Sequence, residues 1–120
     1  MQRYYDEIAK LERNGFNIIV DKTWEDIDPR GQFEDSDIEE ICDKINDGTY
    51  DWFMLRVRVM LDGHEFATEY LGGCLYEDAK DVMTDGTADD MIYTALTEAG
   101  TEILRLREKL MQIDVDTIAD

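Results

Sequence analysis

The segment DIDPRGQFEDSDIEE, residues 26 to 40, has residue types and a spacing that suggest metal chemistry. It carries seven carboxylates and one arginine, and its first part matches some positions of the twelve-residue calcium loop. The matching residues are Asp26, Asp28, Gly31 and Asp37. Arg30, however, stands where the loop needs an oxygen ligand, and Ser36 has a competing role as a helix cap. The segment therefore does not predict a specific calcium site.

Other catalytic or metal-binding residue types are scarce, because the chain has two cysteines and one histidine. Cys42, Cys74 and His64 cannot complete a four-ligand structural zinc site without carboxylates. Cys74 follows two glycines that would let a substrate approach, but the sole imidazole base, His64, stands roughly 30 Å away along an extended hairpin. We therefore expect reduced thiols, and we predict no catalytic residue, no metal site and no cofactor.

The charge of the sequence is its strongest feature, since 30 acidic and 12 basic side chains give a formal net charge of −18. Almost all of the excess falls in two acidic blocks, with a net −9 over residues 21–51 and a net −8 over residues 62–90. Solubility needs a net charge of only about 2 to 8, and self-repulsion destabilises the compact state. The sign of the charge excludes direct nucleic-acid binding as the default function.

The N-terminal part of the chain predicts a helix followed by a short strand. Tyr4 or Tyr5, Ile8 and Leu11 have helical spacing, and Gly15 is a typical stop signal at a helix end. The segment FNIIV that follows is typical of a short strand.

An acidic helix is predicted over about residues 36–47. Ser36 and Glu39 form a capping box at its start, and Gly48 closes it. Its apolar stripe consists of Ile38, Ile41, Cys42 and Ile45. The other face of this helix therefore displays a row of carboxylates, namely Asp37, Glu40, Asp43 and Asp47.

The centre of the chain predicts a β-hairpin with strands at about 50–61 and 64–71, joined by a type I′ turn at Asp-Gly. In this register Arg56 lies opposite Glu69, so we expect this arginine to be a sheet partner rather than a ligand-binding residue. A helical turn is expected in EDAKDVMTDG after the second strand.

A long C-terminal helix is predicted over about residues 88–112, opened by a capping box of Thr87 and Asp90. Its apolar stripe would cover the hairpin, and it consists of Ile92, Ala95, Leu96, Ala99, Ile103, Leu106 and Leu110. A spare C-terminal portion of this helix is available to pair with a second copy in a homodimer. The predicted fold class is α+β, with a short antiparallel sheet centred on the hairpin.

Length and composition predict one acidic α+β domain over residues 1–120. Hydrophobic residues make up 43% of the chain, which is above the range typical of disorder. No apolar run approaches the ~18 residues of a membrane span, and the N-terminal residues lack the order of a signal peptide. We therefore expect a cytoplasmic protein that does not contact a membrane.

The acidic blocks themselves are the candidate binding surface. Carboxylates three or four residues apart on a helix stand about 5 to 6 Å from one another, so a basic nucleic-acid channel could bind such a row in place of phosphates. We predict that a basic nucleic-acid-binding host protein is bound by Glu34, Asp35, Asp37, Glu40, Asp43, Asp47, Glu77, Asp78, Asp81, Asp85, Asp89 and Asp90. A merely solvated acidic surface is the alternative.

The segments YDWFMLRVRV and EYLGGCLYED, separated by a short turn, resemble a group of uncharacterised small proteins of bacteriophages and prophages. The likeness covers roughly residues 50–78 and rests on Asp51 with Trp52, Arg56 with Val57, and Tyr70 to Cys74. Size and composition are also similar to those of phage anti-restriction and anti-CRISPR proteins, several of which mimic nucleic acid. This resemblance implies stoichiometric inhibition of a CRISPR effector or restriction nuclease in the bacterial cytoplasm, without turnover.

Two other classes of function stay open. An adaptor or antitoxin-like module would bind protein through the long helix and a sheet face that contains Trp52, Met54 and Met60. An enzyme would use clustered carboxylates with a divalent metal, although thirty acids form too many pairs for any one pair to be informative.

Overall fold

The computed structural model describes residues 3–33 and 35–119 and contains one four-stranded antiparallel sheet in the order β1-β2-β3-β4. The strands are β1 (Asp6–Arg13), β2 (Phe16–Trp24), β3 (Asp51–Leu61) and β4 (His64–Tyr76). The helices are α1 (Asp35–Asn46), α2 (Thr87–Met111) and α3 (Val115–Ala119), with 3₁₀ turns at Pro29–Gly31 and Ala79–Met83. The predicted α+β class, central hairpin, acidic helix and long C-terminal helix are confirmed.

Both hairpins of the sheet close through the same kind of two-residue turn. Asn14 and Gly15 have φ angles of 55° and 87°, and Asp62 and Gly63 have φ angles of 53° and 80°. Positive φ at both central residues is the type I′ geometry, which suits the twist of the flanking strands and favours Asn-Gly and Asp-Gly. The turn at Asp62-Gly63 was predicted. The prediction that a helix ends at Gly15 is wrong, because Gly15 completes the turn between β1 and β2.

The N-terminal segment forms the edge strand β1 because a β-bulge fits its apolar residues to the sheet. The pairing with β2 shifts between Glu7 and Ala9, so one extra residue is inserted in β1. Ile8, Ala9 and Leu11 are therefore half-buried against the core, although their spacing also suits one turn of a helix. Pairing with β2 satisfies the backbone groups that a helix would have satisfied internally.

The core lies between one face of the sheet and α2. Ile18 and Val20 of β2 and Leu55, Val57 and Val59 of β3 are fully buried there. On α2 the buried residues are mostly small, which lets the helix approach the strands closely, and they are Ala88, Ile92, Ala95 and Ala99. The predicted stripe is thus confirmed in its first half. None of the helices in the described residues is both long and apolar enough to cross a bilayer.

The two predicted capping boxes do not form as expected. α1 already begins at Asp35, so Ser36 lies inside its first turn. α2 is preceded by Gly86 at φ 94°, without a side-chain cap, and Thr87 is its first residue. The Asp85 carboxylate instead accepts a hydrogen bond from the Thr87 backbone N–H at 2.9 Å.

The register of the central hairpin differs from the prediction beyond Met60. The pairing shifts between Val59 and Met60, so that Arg56 lies opposite Tyr70 and the predicted pair of Arg56 with Glu69 is wrong. Glu69 instead lies near Glu98 of α2, and the interaction between the two carboxyl groups raises the pKa of Glu69. A bulge is the physical reason, because one extra residue in β4 exchanges the faces of residues 67–71. A second shift, between Phe53 and Leu55, restores the faces of the residues beyond it.

We expect Glu69→Gln to stabilise the protein at neutral pH. Because the pKa of Glu69 is higher in the folded than in the unfolded protein, protonation of Glu69 stabilises the fold at pH values below the ordinary carboxyl pKa. This stabilisation is lost as the pH rises through the pKa of the folded protein. Above that range the two carboxylates repel each other, so the substitution should raise the free energy of unfolding by up to about 0.5 kcal/mol. Urea denaturation at pH 7 should show this gain and at pH 4 should not. Glu65→Gln, on the same strand, should change neither value.

Asp21 is a buried carboxylate on the second face of the sheet, with 3% of its surface exposed. Arg56 donates two hydrogen bonds to it, from Nε at 2.8 Å and from Nη2 at 2.6 Å, and Arg58 Nη2 lies 3.4 Å away. The guanidinium of Arg56 also stacks on the Tyr5 ring, 3.4 Å from its centroid. These contacts explain why a carboxylate is stable in the middle of a sheet, since two cations compensate for its lost hydration.

Removal of this carboxylate should be the most destabilising charge deletion in the protein. Asp21→Ala leaves two arginines without their partner, at a cost of about 3 kcal/mol in the free energy of unfolding. The exposed Asp6 on β1 provides the control, and Asp6→Ala should stay within about 0.5 kcal/mol of wild type. The midpoint of urea unfolding measures both. A similar midpoint for the two variants would contradict a structural role for Asp21.

Candidate partner-binding surface

The acidic helix α1 is held at the end of the sheet by its apolar stripe and by Trp52. Ile38 and Cys42 are buried, and α1 packs on the 3₁₀ turn Pro29–Gly31 rather than across the sheet. Trp52 Nε1 donates a hydrogen bond to the Ile27 carbonyl at 2.9 Å, and the Trp52 ring centroid lies 5.8 Å from that of Phe33. This anchor fixes α1 while leaving its polar face free of contacts with the sheet.

The outward face of α1 and the residue just after its end carry the first group of predicted binding residues. All of the group whose side chains are described are exposed: Asp37, Glu40, Asp43 and Asp47. Glu40 pairs with Lys44 at 3.2 Å. The Asp47 carboxylate accepts a hydrogen bond from the Thr49 N–H at 2.8 Å, which lowers the pKa of Asp47. Asp35 is the first residue of α1, and Glu34 lies outside the described residues. The described carboxylates of this group therefore remain accessible.

The second group surrounds the 3₁₀ turn Ala79–Met83 and the start of α2, and its members are exposed: Glu77, Asp78, Asp81, Asp85, Asp89 and Asp90. The Asp78 carboxylate accepts the Lys80 N–H at 3.0 Å. Asp85 accepts a hydrogen bond from the Tyr76 hydroxyl, and this contact lowers the pKa of Asp85. Asp89 pairs with Arg13 at 3.3 Å.

A cleft of about 550 Å³ lies between the end of α1 and the start of the second group. Ile45 and Gly48, at the end of α1, line one side of this cleft, while Glu77 and Asp78 line it from β4 and the following turn. Asp47 is next to Gly48 in the chain but does not line the cleft itself. Asp89 and Asp90 do not line it. The predicted set is thus only partly brought together.

Several of these aspartates also stabilise local turns. The carboxylates of Asp28, Asp47, Asp78 and Asp85 each accept a hydrogen bond from the backbone N–H two residues further on. This Asx-turn bond explains the position of an aspartate, but asparagine forms it equally well without a charge. Turn formation therefore accounts for where these residues lie and leaves their negative charge unexplained.

The other residue types with catalytic potential occupy inert positions. Cys74 is buried, and its burial raises the pKa of the thiol to about 11, so little thiolate exists at neutral pH. Cys42 is buried as well, and both cysteines are free thiols. Asp26 forms an ion pair with Arg3. Within residues 3–33 and 35–119, no three His, Cys, Asp or Glu side chains are arranged to hold a metal ion.

Comparisons of the chain with protein-family models, with curated proteins and with solved structures found no match. Function must therefore be inferred from the residues of this chain alone. Its fold and surface define a small α+β protein with exposed acidic groups on α1, around the turn Ala79–Met83 and at the start of α2.

Tyr76→Phe should raise the pKa of Asp85 toward its ordinary value, because the phenylalanine ring preserves packing against Phe53 but donates no hydrogen bond. Carboxyl NMR titration measures this change directly. The lowered pKa of Asp85 stabilises the fold above the ordinary carboxyl pKa, and this contribution is lost as the pH falls through the pKa of the folded protein. The variant should therefore lose more stability at pH 7 than in strong acid, where only the hydrogen bond between the Tyr76 hydroxyl and Thr87 is missing. Tyr93→Phe, at a residue that is 76% exposed, is the control.

Proposed function

We propose that this protein is a stoichiometric inhibitor of a nucleic-acid-binding host defence protein, a CRISPR effector or a restriction nuclease, which it binds in place of nucleic acid. The acidic surface of α1, with Glu77 and Asp78 across the cleft, occupies the positive groove of the target. No turnover is required. The resemblance to small phage proteins supports an origin in a bacteriophage and action in the bacterial cytoplasm.

The single observation that carries the proposal is the exposure of α1. A helix of a small domain usually lies on the sheet and presents its polar face to solvent as a consequence of packing. α1 instead packs on the 3₁₀ turn Pro29–Gly31, next to the segment that Trp52 holds through Ile27, and its described carboxylates are exposed. Asp37 and Asp43 form no ion pair with any described residue, so their charge is available to a partner.

Electrostatics favours this mode of binding. Because the whole chain has a net charge of −18, its acidic surface attracts a basic groove over several ångströms. Association then displaces the ions that screen the groove. Neighbouring carboxylates about 5 to 6 Å apart meet arginine and lysine side chains in the groove without rearrangement of the helix. The inhibitor therefore competes with nucleic acid for the same cations, and added salt weakens both complexes.

The adaptor surface, formed by the long helix α2 and a sheet face with Trp52, Met54 and Met60, is the competing prediction. The indole N–H and ring of Trp52 already contact Ile27 and Phe33 within the chain. Met54 and Met60 are half-buried on the sheet face that holds Asp21. These internal contacts favour the acidic surface as the binding site.

Charge neutralisation on α1 tests the proposal. Glu40→Gln, Asp43→Asn and Asp47→Asn together should weaken inhibition of DNA cleavage by a purified target nuclease at least about tenfold, because three charge contacts are lost. The matched control neutralises three exposed glutamates outside α1, at Glu12, Glu65 and Glu108, with the same change in net charge. Titration of the nuclease at low salt gives the stoichiometry and the affinity of each variant.

The control variant should inhibit nearly as well as wild type, with an endpoint at a fixed molar ratio. Circular dichroism should show that both triple variants keep their helix content. Equal loss in the two variants would mean that only total charge matters, and the assignment to α1 would be wrong. Inhibition that does not weaken with salt would contradict binding through the acidic surface.

A further inference from the structure

The C-terminal part of the protein leaves the sheet and exposes apolar side chains. No residue between positions 100 and 118 is buried, although α2 continues to Met111 and α3 follows. The exposed apolar residues of this region are between 47 and 81% accessible: Leu104, Leu110, Met111, Ile113, Val115 and Ile118. A monomeric soluble protein rarely exposes such a contiguous apolar patch without a partner.

An apolar cleft of about 470 Å³ lies beside this region, between α2 and the tip of the central hairpin. Leu61 and Phe66 line it from the hairpin, and Ile103, Leu106 and Leu110 line it from α2. Arg107 is the one charged residue of its lining in the described chain. The cleft therefore suits apolar side chains and offers little to a polar ligand.

The spacing of the α2 residues indicates what kind of element covers them. Leu96, Ala99, Ile103, Leu106 and Leu110 follow one another at intervals of three, four, three and four residues. This is the heptad spacing with which one helix packs against another helix. The first two residues pack on the sheet, Leu106 is half-buried beside the hairpin tip, and Leu110, with 62% of its surface exposed, continues the seam beyond it.

We propose that a second copy of this chain covers this surface, in a twofold-symmetric dimer. The same region supplies both a receiving cleft, at Leu61, Phe66 and Ile103, and protruding apolar side chains, at Leu110 and Met111. A surface that carries both parts is self-complementary, as a twofold interface requires. The seams of the two α2 helices then lie against each other.

The charge distribution favours this contact over any other contact between copies. Residues 91–111 carry three acidic and three basic side chains and are therefore neutral, whereas each acidic block is strongly negative. α1 is anchored at Trp52, and the apolar cleft lies at Leu61, roughly 30 Å further along β3. Dimerisation at the cleft therefore keeps the acidic surfaces of the two copies at opposite ends, where their repulsion is weakest.

The available area is sufficient for a modest dimer. When the exposed fractions of the six C-terminal apolar side chains and of Leu61, at 38%, are added, they equal about four fully accessible side chains. This corresponds to an apolar surface on the order of 250 to 500 Å² per copy. Since such interfaces are about two-thirds apolar, each copy would bury roughly 400 to 800 Å² in all. The upper part of this range reaches the size of a standard interface.

Analytical ultracentrifugation of the full chain over micromolar concentrations tests the proposal. Wild type should dimerise. Leu110→Lys should raise the dissociation constant of the dimer on the order of a hundredfold, because each copy loses a leucine that the interface would bury. The substitution makes each copy less negative, so greater repulsion cannot explain the loss. Tyr93→Lys makes the same change in charge at an exposed α2 residue that does not line the cleft, and it should dimerise as wild type does.

Salt separates this proposal from binding through the acidic surface. High salt screens the repulsion between two acidic copies, so the dimer should tighten while inhibition of a nuclease weakens. A wild type that stays monomeric in high salt, or a Leu110→Lys variant that dimerises unchanged with a wild-type circular dichroism spectrum, would overturn the dimer. Inhibition by a monomeric Leu110→Lys variant would show that the acidic surface acts without it.

Discussion

Thirty carboxylates in 120 residues repel one another, and the arrangement of the whole molecule follows from where that repulsion can be tolerated. Within the described residues, nine of the twelve basic side chains form ion pairs. One carboxylate, Asp21, is buried, and it is compensated by Arg56 and Arg58. The other described acids are partly or fully exposed to water, on α1, at turns, on the strands and along α2.

The shape of the molecule separates acidic and apolar surfaces. The molecule is elongated, with dimensions of 67 × 32 × 21 Å. Its radius of gyration of 18.9 Å exceeds the ~14 Å typical of a compact chain of this length. The extension comes from α1 at one end of the sheet and from the exposed half of α2 with α3 at the other. One chain thus carries two surfaces of different chemistry, and each can engage a partner without disturbing the other.

Much of the fold was predictable because its signals are local. The Asp62-Gly63 turn, the apolar stripe of α1 and the long stripe of α2 each lie within a few consecutive residues. The Asn-Gly pair at positions 14 and 15 is an equally good turn signal, but the helical spacing of Ile8 and Leu11 outweighed it. A bulge makes that spacing compatible with a strand, and a bulge has no reliable signature in a single sequence.

The sequence by itself determined the charge, the two acidic blocks, the helical rows of carboxylates and the apolar seam of α2, because these depend on residue type and helical period alone. The tertiary structure decided the register of β4, the burial of Asp21 between two arginines and the placing of α1 beside the sheet. It also decided that Glu77 faces the end of α1 while Asp90 does not. These depend on contacts between residues distant in the chain, whose energies no local pattern contains.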